Sequence, residues 1–299
     1  MKRAFFIVGP TATGKSEIAA EVAQRTGAEI ISADAFQIYR GLDLLTAKPD
    51  RATLAKARHH LIGLVPLGEN MDVEKFRAAA DAIIGRGKPI VVVGGTGLYV
   101  KALTHGVAKL PGANKALREK LERTTSAELL RSLRALDPIG AEKIDAQNRR
   151  RLVRAVEVCL LTGRPFSEQR TEWSEVAPAN GVLLERDRAE LYGRINQRVE
   201  QMFAAGVVKE VRAVKEIGPT AEKTLGLREI RALIAGEISE AECIARIQQA
   251  TRRYAKRQLT WFRRQTNFPS LNLSAHDPAE AVELISQSAS RVFAANDRS

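Results

Sequence analysis

Short runs of apolar, β-branched residues alternate with stretches of helical periodicity in the first hundred residues of the chain. Residues 4–8, 29–32 and 90–93 are apolar enough to be strands buried on both faces. Residues 72–85 instead carry apolar side chains at helical spacing and are predicted to form a helix. Such an alternation is typical of a parallel β-sheet covered by helices.

The pattern changes between about residues 111 and 178, where charged helical segments replace the β-branched runs. A strand is again predicted at 181–184, followed by a helix from 188 that ends at Gly206. The chain is therefore predicted to have an α/β fold with a parallel sheet flanked by helices. Residues 1–111 and 181–299 would form the core domain, and residues 112–180 a helical insertion.

Composition narrows the class of protein but does not identify its binding partner. The 299 residues carry a formal net charge of +12, which favours a polyanionic partner, although a basic enzyme whose charge aids solubility would look the same. No run approaches the ~20 apolar residues of a membrane span, so we expect no membrane association. Cys159 and Cys243 stand without metal-ligand neighbours, which suits a reducing cytoplasm.

A phosphate-binding loop is predicted between the first strand and the first helix. The run matches G-x-x-x-x-G-K-[ST] and consists of Gly9, Pro10, Thr11, Ala12, Thr13, Gly14, Lys15 and Ser16. Backbone amides of such a loop surround a phosphate, Lys15 neutralises its charge, and the Ser16 hydroxyl can bind Mg²⁺. We call these eight residues the phosphate loop and expect it to work as a P-loop.

The acidic residue that should accompany this loop lies at the end of the second strand. The strand at 90–93 runs into Gly94-Gly95-Thr96-Gly97 without a carboxylate, whereas the strand at 29–32 is followed by Asp34. Strand ends of a doubly wound sheet face the ligand crevice, so Asp34 should lie near the phosphate loop. Asp34 could hold magnesium, accept a proton from a nucleophile, or only cap a turn.

Several motifs of this chain, taken together, are particular to one family. The phosphate loop as G-P-T-A-T-G-K-S is followed by D-A-F-Q-I-Y from Asp34, T-A-K-P from Thr46, G-G-T-G-L-Y from Gly94, and A-K-R-Q-L-T-W from Ala255. In order and spacing they resemble the bacterial tRNA dimethylallyltransferases. The resemblance spans nearly the whole chain, and the T-A-K-P and A-K-R-Q-x-T-W segments are its most specific parts.

The resemblance implies a reaction that the chemistry of the loop would suit. A prenyl diphosphate, not ATP, would occupy the phosphate loop with Mg²⁺ as cofactor, and dimethylallyl diphosphate would be the donor. The acceptor would be the exocyclic amine of the adenosine 3′ of the anticodon in the tRNA anticodon stem-loop. Asp34 would be the catalytic base and Thr96 would lie near the reacting centre, although Thr96 could also merely cap a helix. We expect a cytoplasmic monomer.

Two basic segments are candidates for tRNA contact. The last long helix, predicted from about 239 to 264, carries a basic stripe separate from its apolar face, and four arginines cluster where the helix at 149–161 begins. A solvated helix surface is the plain alternative for both, as it is for Arg118. The tRNA-binding candidates are Asp34, Ala35, Phe36, Gln37, Thr96, Arg118, Arg150, Arg151, Arg154, Arg253 and Arg257.

Some positions depart from the family pattern, and other functions share part of it. Ala35 stands where serine is common, Arg150 where glutamine is usual, and Leu227 where a tyrosine is expected, so contacts with RNA should differ locally. A P-loop kinase shares the loop and the acidic strand end, and an RNA-binding protein without activity would explain the charge. ATP turnover would identify the kinase, and the intact loop with Asp34 argues against the inactive protein.

Overall fold

A single parallel sheet organises the larger part of the molecule. The computed structural model describes residues 4–106, 110–169 and 180–295. The strands are β1 (Ala4–Val8), β2 (Glu29–Ser32), β3 (His59–His60), β4 (Ile90–Gly94), β5 (Gly181–Glu185) and β6 (Ser270–Asn272). They pair in the order β3-β2-β4-β1-β5-β6, every neighbour parallel, with β1 at the centre between β4 and β5. The predicted α/β fold with a parallel sheet is confirmed.

Helices cover both faces of this sheet. The helices of the sheet-bearing unit are α1 (Lys15–Thr26), α2 (Arg51–Ala55), α3 (Val73–Ile84), α4 (Gly97–His105), α10 (Arg188–Ala204), α11 (Val207–Arg212), α12 (Leu227–Ile234), α13 (Glu240–Gln265) and α14 (Pro278–Ala295). Alternate residues of β1 enter different layers: Phe5 and Ile7 pack with α1 and α14, whereas Phe6 and Val8 pack with α3, α4 and α13. Burial on both sides explains why the strands are apolar throughout.

The remaining helices form a second compact unit. This unit comprises His105–Ala177, and the sheet-bearing unit comprises Met1–Thr104 and Pro178–Ser299. The helices of the second unit are α5 (Lys115–Arg123), α6 (Ser126–Leu136), α7 (Pro138–Lys143), α8 (Arg149–Thr162) and α9 (Phe166–Gln169). Leu129, Leu133 and Leu152 are fully buried in its own core. Residues 170–179, next to the predicted domain boundary at 180, lie outside the described residues.

Helix ends follow local signals that the sequence carries. Asp72 caps α3 by accepting a hydrogen bond from the Lys75 amide, and Ser239 caps α13 in the same way. Acidic residues in the first turn of α13 and arginines in its last turn complement the helix dipole. The two-residue strand β3 was not predicted, because His59 and His60 lack an apolar run and pair with β2 only at the edge of the sheet.

Candidate active site

The phosphate loop connects the end of β1 to the start of α1. Gly14 (φ 93°) and Ala12 (φ 67°) both have left-handed backbone, which curls the chain at the head of the helix. The Thr13 hydroxyl donates to the Pro10 carbonyl at 2.9 Å and tightens the curl. Gly9 lies so close to β5 that a β-carbon there would be 2.4 Å from the Leu184 carbonyl oxygen, and this contact requires glycine.

Three arginines hold the phosphate loop from the outside. Arg186 and Arg194 each donate from Nε to a loop carbonyl at 2.9 Å, those of Thr13 and Ala12 respectively. Arg198 donates from Nη2 to the Thr11 hydroxyl at 2.7 Å. Their cationic heads therefore lie against the loop, where they add positive potential to the helix N-terminus.

A cavity of about 370 Å³ opens beside the loop. Its charged lining residues are Lys15, Glu17, Asp34, Lys48, Asp50, Arg194 and Arg198. Burial lowers the pKa of Lys15 to about 8, and the neighbouring Asp34 opposes that shift. Burial likewise lowers the pKa of Arg198, whose Nε is buried without a hydrogen-bond partner in the described structure. Such a cavity is suited to a compact anion.

Asp34 follows β2 and lines the same cavity as the phosphate loop. Its Oδ1 accepts hydrogen bonds from the amides of Phe36 (2.9 Å) and Gln37 (3.2 Å), so the side chain does cap a turn. These bonds fix the carboxylate through Oδ1. Capping and chemistry are therefore compatible, because Oδ2 takes no part in the cap and can accept a proton or a hydrogen bond.

Thr96 is tied to the Asp34 turn from the neighbouring strand end. Its Oγ1 accepts a hydrogen bond from the Ala35 amide at 2.9 Å. The Thr96 amide in turn donates to the Ala33 carbonyl at 3.1 Å. Thr96 thus ties the end of β4 to the Asp34 turn, in addition to its place before α4.

Gln258 connects the same cluster to the phosphate loop. It is buried, its Oε1 accepts from the Thr11 amide at 2.9 Å, and its Nε2 donates to the Gly95 carbonyl at 2.9 Å. A β-carbon on Gly95 would be 2.2 Å from that Nε2, which explains the glycine. The phosphate loop, the Gly95–Thr96 turn and α13 form one hydrogen-bonded arrangement.

A strained segment forms another part of the cavity wall. Thr46, Ala47, Lys48 and Pro49 line the cavity, and Ala47 has a φ of 49°. Gln37 Nε2 donates to the Thr46 and Ala47 carbonyls at 3.2 and 2.9 Å. Lys48 donates to the Tyr39 carbonyl at 2.5 Å and pairs with Asp43. Gln37, expected to contact tRNA, here has its side-chain amide engaged in supporting this wall.

The basic stripe of α13 lies on the surface of the sheet-bearing unit. Arg253, Arg257 and Arg264 are exposed, whereas Ala255 and Phe262 on the opposite face are buried. The predicted separation of basic and apolar faces is therefore confirmed. Arg263, beside the stripe, donates two hydrogen bonds to Glu185 at 2.9 and 2.6 Å. None of the three stripe arginines lines the cavity.

The arginines of the second unit divide into two kinds. Arg118 and Arg154 both form ion pairs with Glu157, a carboxylate with no exposed surface. Arg150 and Arg151 are exposed instead. Arg149 donates to the Glu122 and Thr124 carbonyls at 2.5 and 2.6 Å, so it stabilises the end of α5. Arg149 and Arg154, two of the four arginines at the start of α8, therefore have partners within the protein.

Several residues around the cavity were not predicted from the sequence. Arg194 and Arg198 are four residues apart on α10, a spacing that puts both on one face, and this pattern could have drawn attention to them. Gln258 of α13 was not predicted either, although its side chain contacts the phosphate loop. Their role became visible only through the partners that the fold brings to them.

The chain is similar to known proteins over most of its length. The family model described as IPP transferase matches residues 37–265, and the model described as Isopentenyl transferase matches residues 2–66. The tRNA dimethylallyltransferase of Akkermansia muciniphila is 39% identical over 281 residues, which cover 93% of this chain and 96% of that protein. The tRNA dimethylallyltransferase 1 of Citrifermentans bemidjiense is 42% identical, with 87% and 88% covered.

Solved structures give the same result for the fold. The full-length tRNA isopentenylpyrophosphate transferase of Bacillus halodurans superposes with a TM-score of 0.72 at 31% identity, covering 100% of this chain and 99% of that one. A eukaryotic dimethylallyltransferase acting on tRNA superposes with a TM-score of 0.79 at 24% identity, covering 98% of this chain and 80% of that one. The second likeness concerns the fold alone.

Proposed function

This chain belongs to the tRNA dimethylallyltransferase family, enzymes that transfer a prenyl group to tRNA, and from that premise we propose its donor, acceptor and site residues. The donor is dimethylallyl diphosphate, and the acceptor is the exocyclic amine of the adenosine 3′ of the anticodon. A new carbon–nitrogen bond forms as the allylic carbon–oxygen bond breaks and pyrophosphate leaves. The observation that supports this proposal is the placement of the phosphate loop and Asp34 around one cavity.

The phosphate loop holds the leaving group. Charge grows on the diphosphate as the allylic carbon–oxygen bond breaks, and donors fixed in advance stabilise that charge more than they stabilise the ground state. Lys15 and Arg198 both line the cavity, and each is held at the loop by a hydrogen bond, to the Pro10 carbonyl and the Thr11 hydroxyl respectively. Arg186 and Arg194 keep the loop backbone in place.

The cavity also fits a magnesium ion bound together with the diphosphate. Among the residues that the structure describes, no group of three or more His, Cys, Asp or Glu could hold a metal without help. Magnesium commonly takes only one or two protein oxygens and completes its shell with phosphate oxygens and water. Ser16, on the cavity wall, would be its ligand. When bound, magnesium neutralises charge on the departing diphosphate.

Asp34 acts as the base. The exocyclic amine of adenine is a weak nucleophile because its lone pair is delocalised into the ring, and it must lose a proton as the new bond forms. Asp34 Oδ1 is fixed by two amides, so the carboxylate has a defined direction, and Oδ2 accepts the proton. Thr96 holds the same turn through the Ala35 amide.

The tRNA would contact both units of the chain. The exposed arginines of α13, Arg253 and Arg257, suit phosphates of the anticodon stem-loop. Asp34, Ala35, Phe36, Gln37 and Thr96 would face the reacting nucleotide. In the second unit Arg150 and Arg151 are exposed, and Arg118 and Arg154 present the outer part of an ion-paired cluster.

The cellular setting follows from the substrate and the cysteines. Within the described residues no helix is long and apolar enough to cross a membrane. Cys159 and Cys243 are both free and buried, which suits a reducing compartment. We propose a cytoplasmic monomer, and size-exclusion chromatography with light scattering would test its mass.

The direct test is product formation from a defined tRNA. The protein is incubated with Mg²⁺, dimethylallyl diphosphate and an anticodon stem-loop carrying adenosine 3′ of the anticodon, and nucleosides are identified by mass spectrometry. We expect dimethylallyladenosine from the natural sequence. Asp34→Asn keeps the two capping bonds and removes the base, so turnover should fall by about 100-fold or more while tRNA affinity stays nearly unchanged. An equally active variant would remove Asp34 from the mechanism, and ATP turnover in place of product would indicate a kinase.

A further inference from the structure

The part of the cavity wall formed by residues 46–49, which we call the wall segment, has a backbone that must be held from outside. Leu42 before it and Ala47 within it both have left-handed backbone, with φ of 53° and 49°. Residues other than glycine rarely adopt this conformation, and it persists only where surrounding groups enforce it. The position of the wall segment therefore depends on its partners elsewhere in the chain.

One of these partners is the carboxylate of Glu210 on α11. Its Oε1 accepts a hydrogen bond from the Leu44 amide and its Oε2 accepts one from the Leu45 amide, both at 2.9 Å. Both carboxylate oxygens are thus engaged on the turn that leads directly into the wall segment. Hydrogen bonds to an ionised acceptor are stronger than those between neutral groups, so Glu210 fixes this turn firmly.

Two further contacts fix the same stretch of chain. The side chains of Leu42 and Leu45 are buried in one hydrophobic cluster with residues of α11. On the other side, Gln37 donates to two carbonyls of the wall segment at 3.2 and 2.9 Å. The wall segment is therefore held between α11 and the turn that follows Asp34.

The wall segment also supplies apolar surface to the cavity. The lining residues with apolar side chains are Ala12, Ala47, Pro49, Ile62 and Val93. A prenyl chain attached to a diphosphate at the phosphate loop has to lie against this apolar set. Ala47 and Pro49 have no rotamer freedom with which to yield, so extra room beside them requires the backbone to move.

Resting on the proposed function, we infer that Glu210 is a positioning residue that fixes the wall segment and thereby limits the prenyl donor to a single isoprene unit. Glu210 acts on the donor only through the backbone of the wall segment. A longer allylic diphosphate carries the same leaving group and the same reacting carbon, and only its chain length differs. The wall segment therefore selects among donors, whereas the phosphate loop and Asp34 perform the transfer on whichever donor fits.

Two donors that differ only in chain length test this inference. Product formation on the anticodon stem-loop is measured with dimethylallyl and geranyl diphosphate, for the natural protein and Glu210→Gln. The natural protein should prefer dimethylallyl diphosphate by about 100-fold or more in kcat/KM, since a closed pocket rejects added carbons. Glutamine offers one acceptor oxygen and one NH₂ group, so one of the two amides loses its partner. The preference should then fall about tenfold, with a higher KM for dimethylallyl diphosphate and a kcat within about twofold of the natural value.

The ratio of two donors on one preparation does not depend on how much of the protein is folded. Glu200→Gln is the matched control, because the Glu200 carboxylate on α10 accepts from Gln248 instead of the turn before the wall segment, and it should keep the natural preference. If Glu210→Gln does not fold, Ala47→Gly takes its place. Glycine adopts left-handed backbone freely, so this change loosens the wall segment and should also lower the preference.

Three outcomes count against the proposals. If the folded variant slows both donors equally and keeps the natural preference, Glu210 only stabilises the fold and the inference is overturned. A natural protein that uses both donors equally well would overturn it too, because the wall segment would then set no limit. Absence of product from the natural protein with either donor would instead overturn the proposed function.

Discussion

Arginines occur in two settings in the sheet-bearing unit, and the contrast separates two uses of the same charge. Around the phosphate loop, Arg186, Arg194 and Arg198 donate to protein oxygens at 2.7–2.9 Å. On α13, Arg253 and Arg257 are exposed, and the Arg257 guanidinium lies over the Tyr254 ring. The first group is fixed before any ligand arrives, which suits catalysis. The second is hydrated and adaptable, which suits attraction of a polyanion.

The largest effect should come from the arginines that hold the phosphate loop. Arg198→Ala removes a cation from the cavity and should lower kcat/KM for the prenyl donor by about 100- to 1,000-fold. Arg198→Lys should recover only part of this, because an ammonium does not reproduce the forked donors of a guanidinium. Steady-state kinetics with varied donor measures both, with Arg188→Ala on the exposed start of α10 as control. If Arg198→Ala were as active as the natural protein, the arginines fixed at the phosphate loop would have no special role in catalysis.

A third setting complicates the contrast, because Arg118 and Arg154 share Glu157 in the second unit. Burial would raise the pKa of Glu157, but hydrogen bonds from the two arginines lower it overall. Its stabilising contribution is therefore present at neutral pH and is lost as pH falls through the folded-state pKa. Glu157→Gln should cost about 2 kcal/mol in unfolding free energy at pH 7.

Urea unfolding of the full chain measures this cost. The difference between Glu157→Gln and the natural protein should shrink as the pH is lowered into the acidic range, since protonation removes the same charge. A difference independent of pH would mean that the ion pairs contribute little. The exposed pair Arg25–Glu283 provides a matched control, and Glu283→Gln should change stability by less than about 0.5 kcal/mol.

The exposed group should affect binding alone. Changing Arg253 and Arg257 together to Gln should weaken tRNA binding about tenfold and lower the salt slope of log Kd by about 2. The kcat at saturating tRNA should stay within about twofold. Filter binding at several salt concentrations provides the measurement, and the pair Arg150→Gln with Arg151→Gln tests the second unit in the same way. An unchanged slope would show that the α13 stripe is only a solvated surface.

The smallest effect should appear in the pH dependence of donor binding. Burial lowers the pKa of Lys15 to about 8 in the free protein, so its charge is lost as pH rises through that value. Affinity for a non-reactive donor analogue should therefore fall several-fold between pH 7 and pH 9. Lys15→Arg should remove most of this fall, as measured by calorimetry. A similar fall in both proteins would assign the titration to another group.

Local motifs were predictable, whereas groups supplied by distant segments were not. Gly9–Ser16 and Asp34 each follow a strand, so strand order alone places them at one edge of the sheet. Arg198 and Gln258 reach Thr11 across 187 and 247 positions of sequence. No periodicity encodes such a meeting, because it depends on how α10 and α13 pack.

The charge pattern of the sequence also does not show which arginines form ion pairs within the protein. Arg118, Arg150, Arg151 and Arg154 look alike in a charge pattern, yet Glu157 engages only the first and the last. Glu157 lies within the apolar stretch of α8, where a carboxylate is expected to be buried only with partners. That residue was the signal that two of the four arginines had an internal partner.

The central strand β1 has a consequence for how the protein is made. It pairs with β4 and with β5, and the loop that follows it is held by arginines of α10 and by Gln258 of α13. A ribosome releases those segments long after the loop itself, because β5 begins only at Gly181. We therefore expect nascent chains that end before α13 to be unable to bind the donor, so the enzyme should gain activity only after the ribosome has released α13.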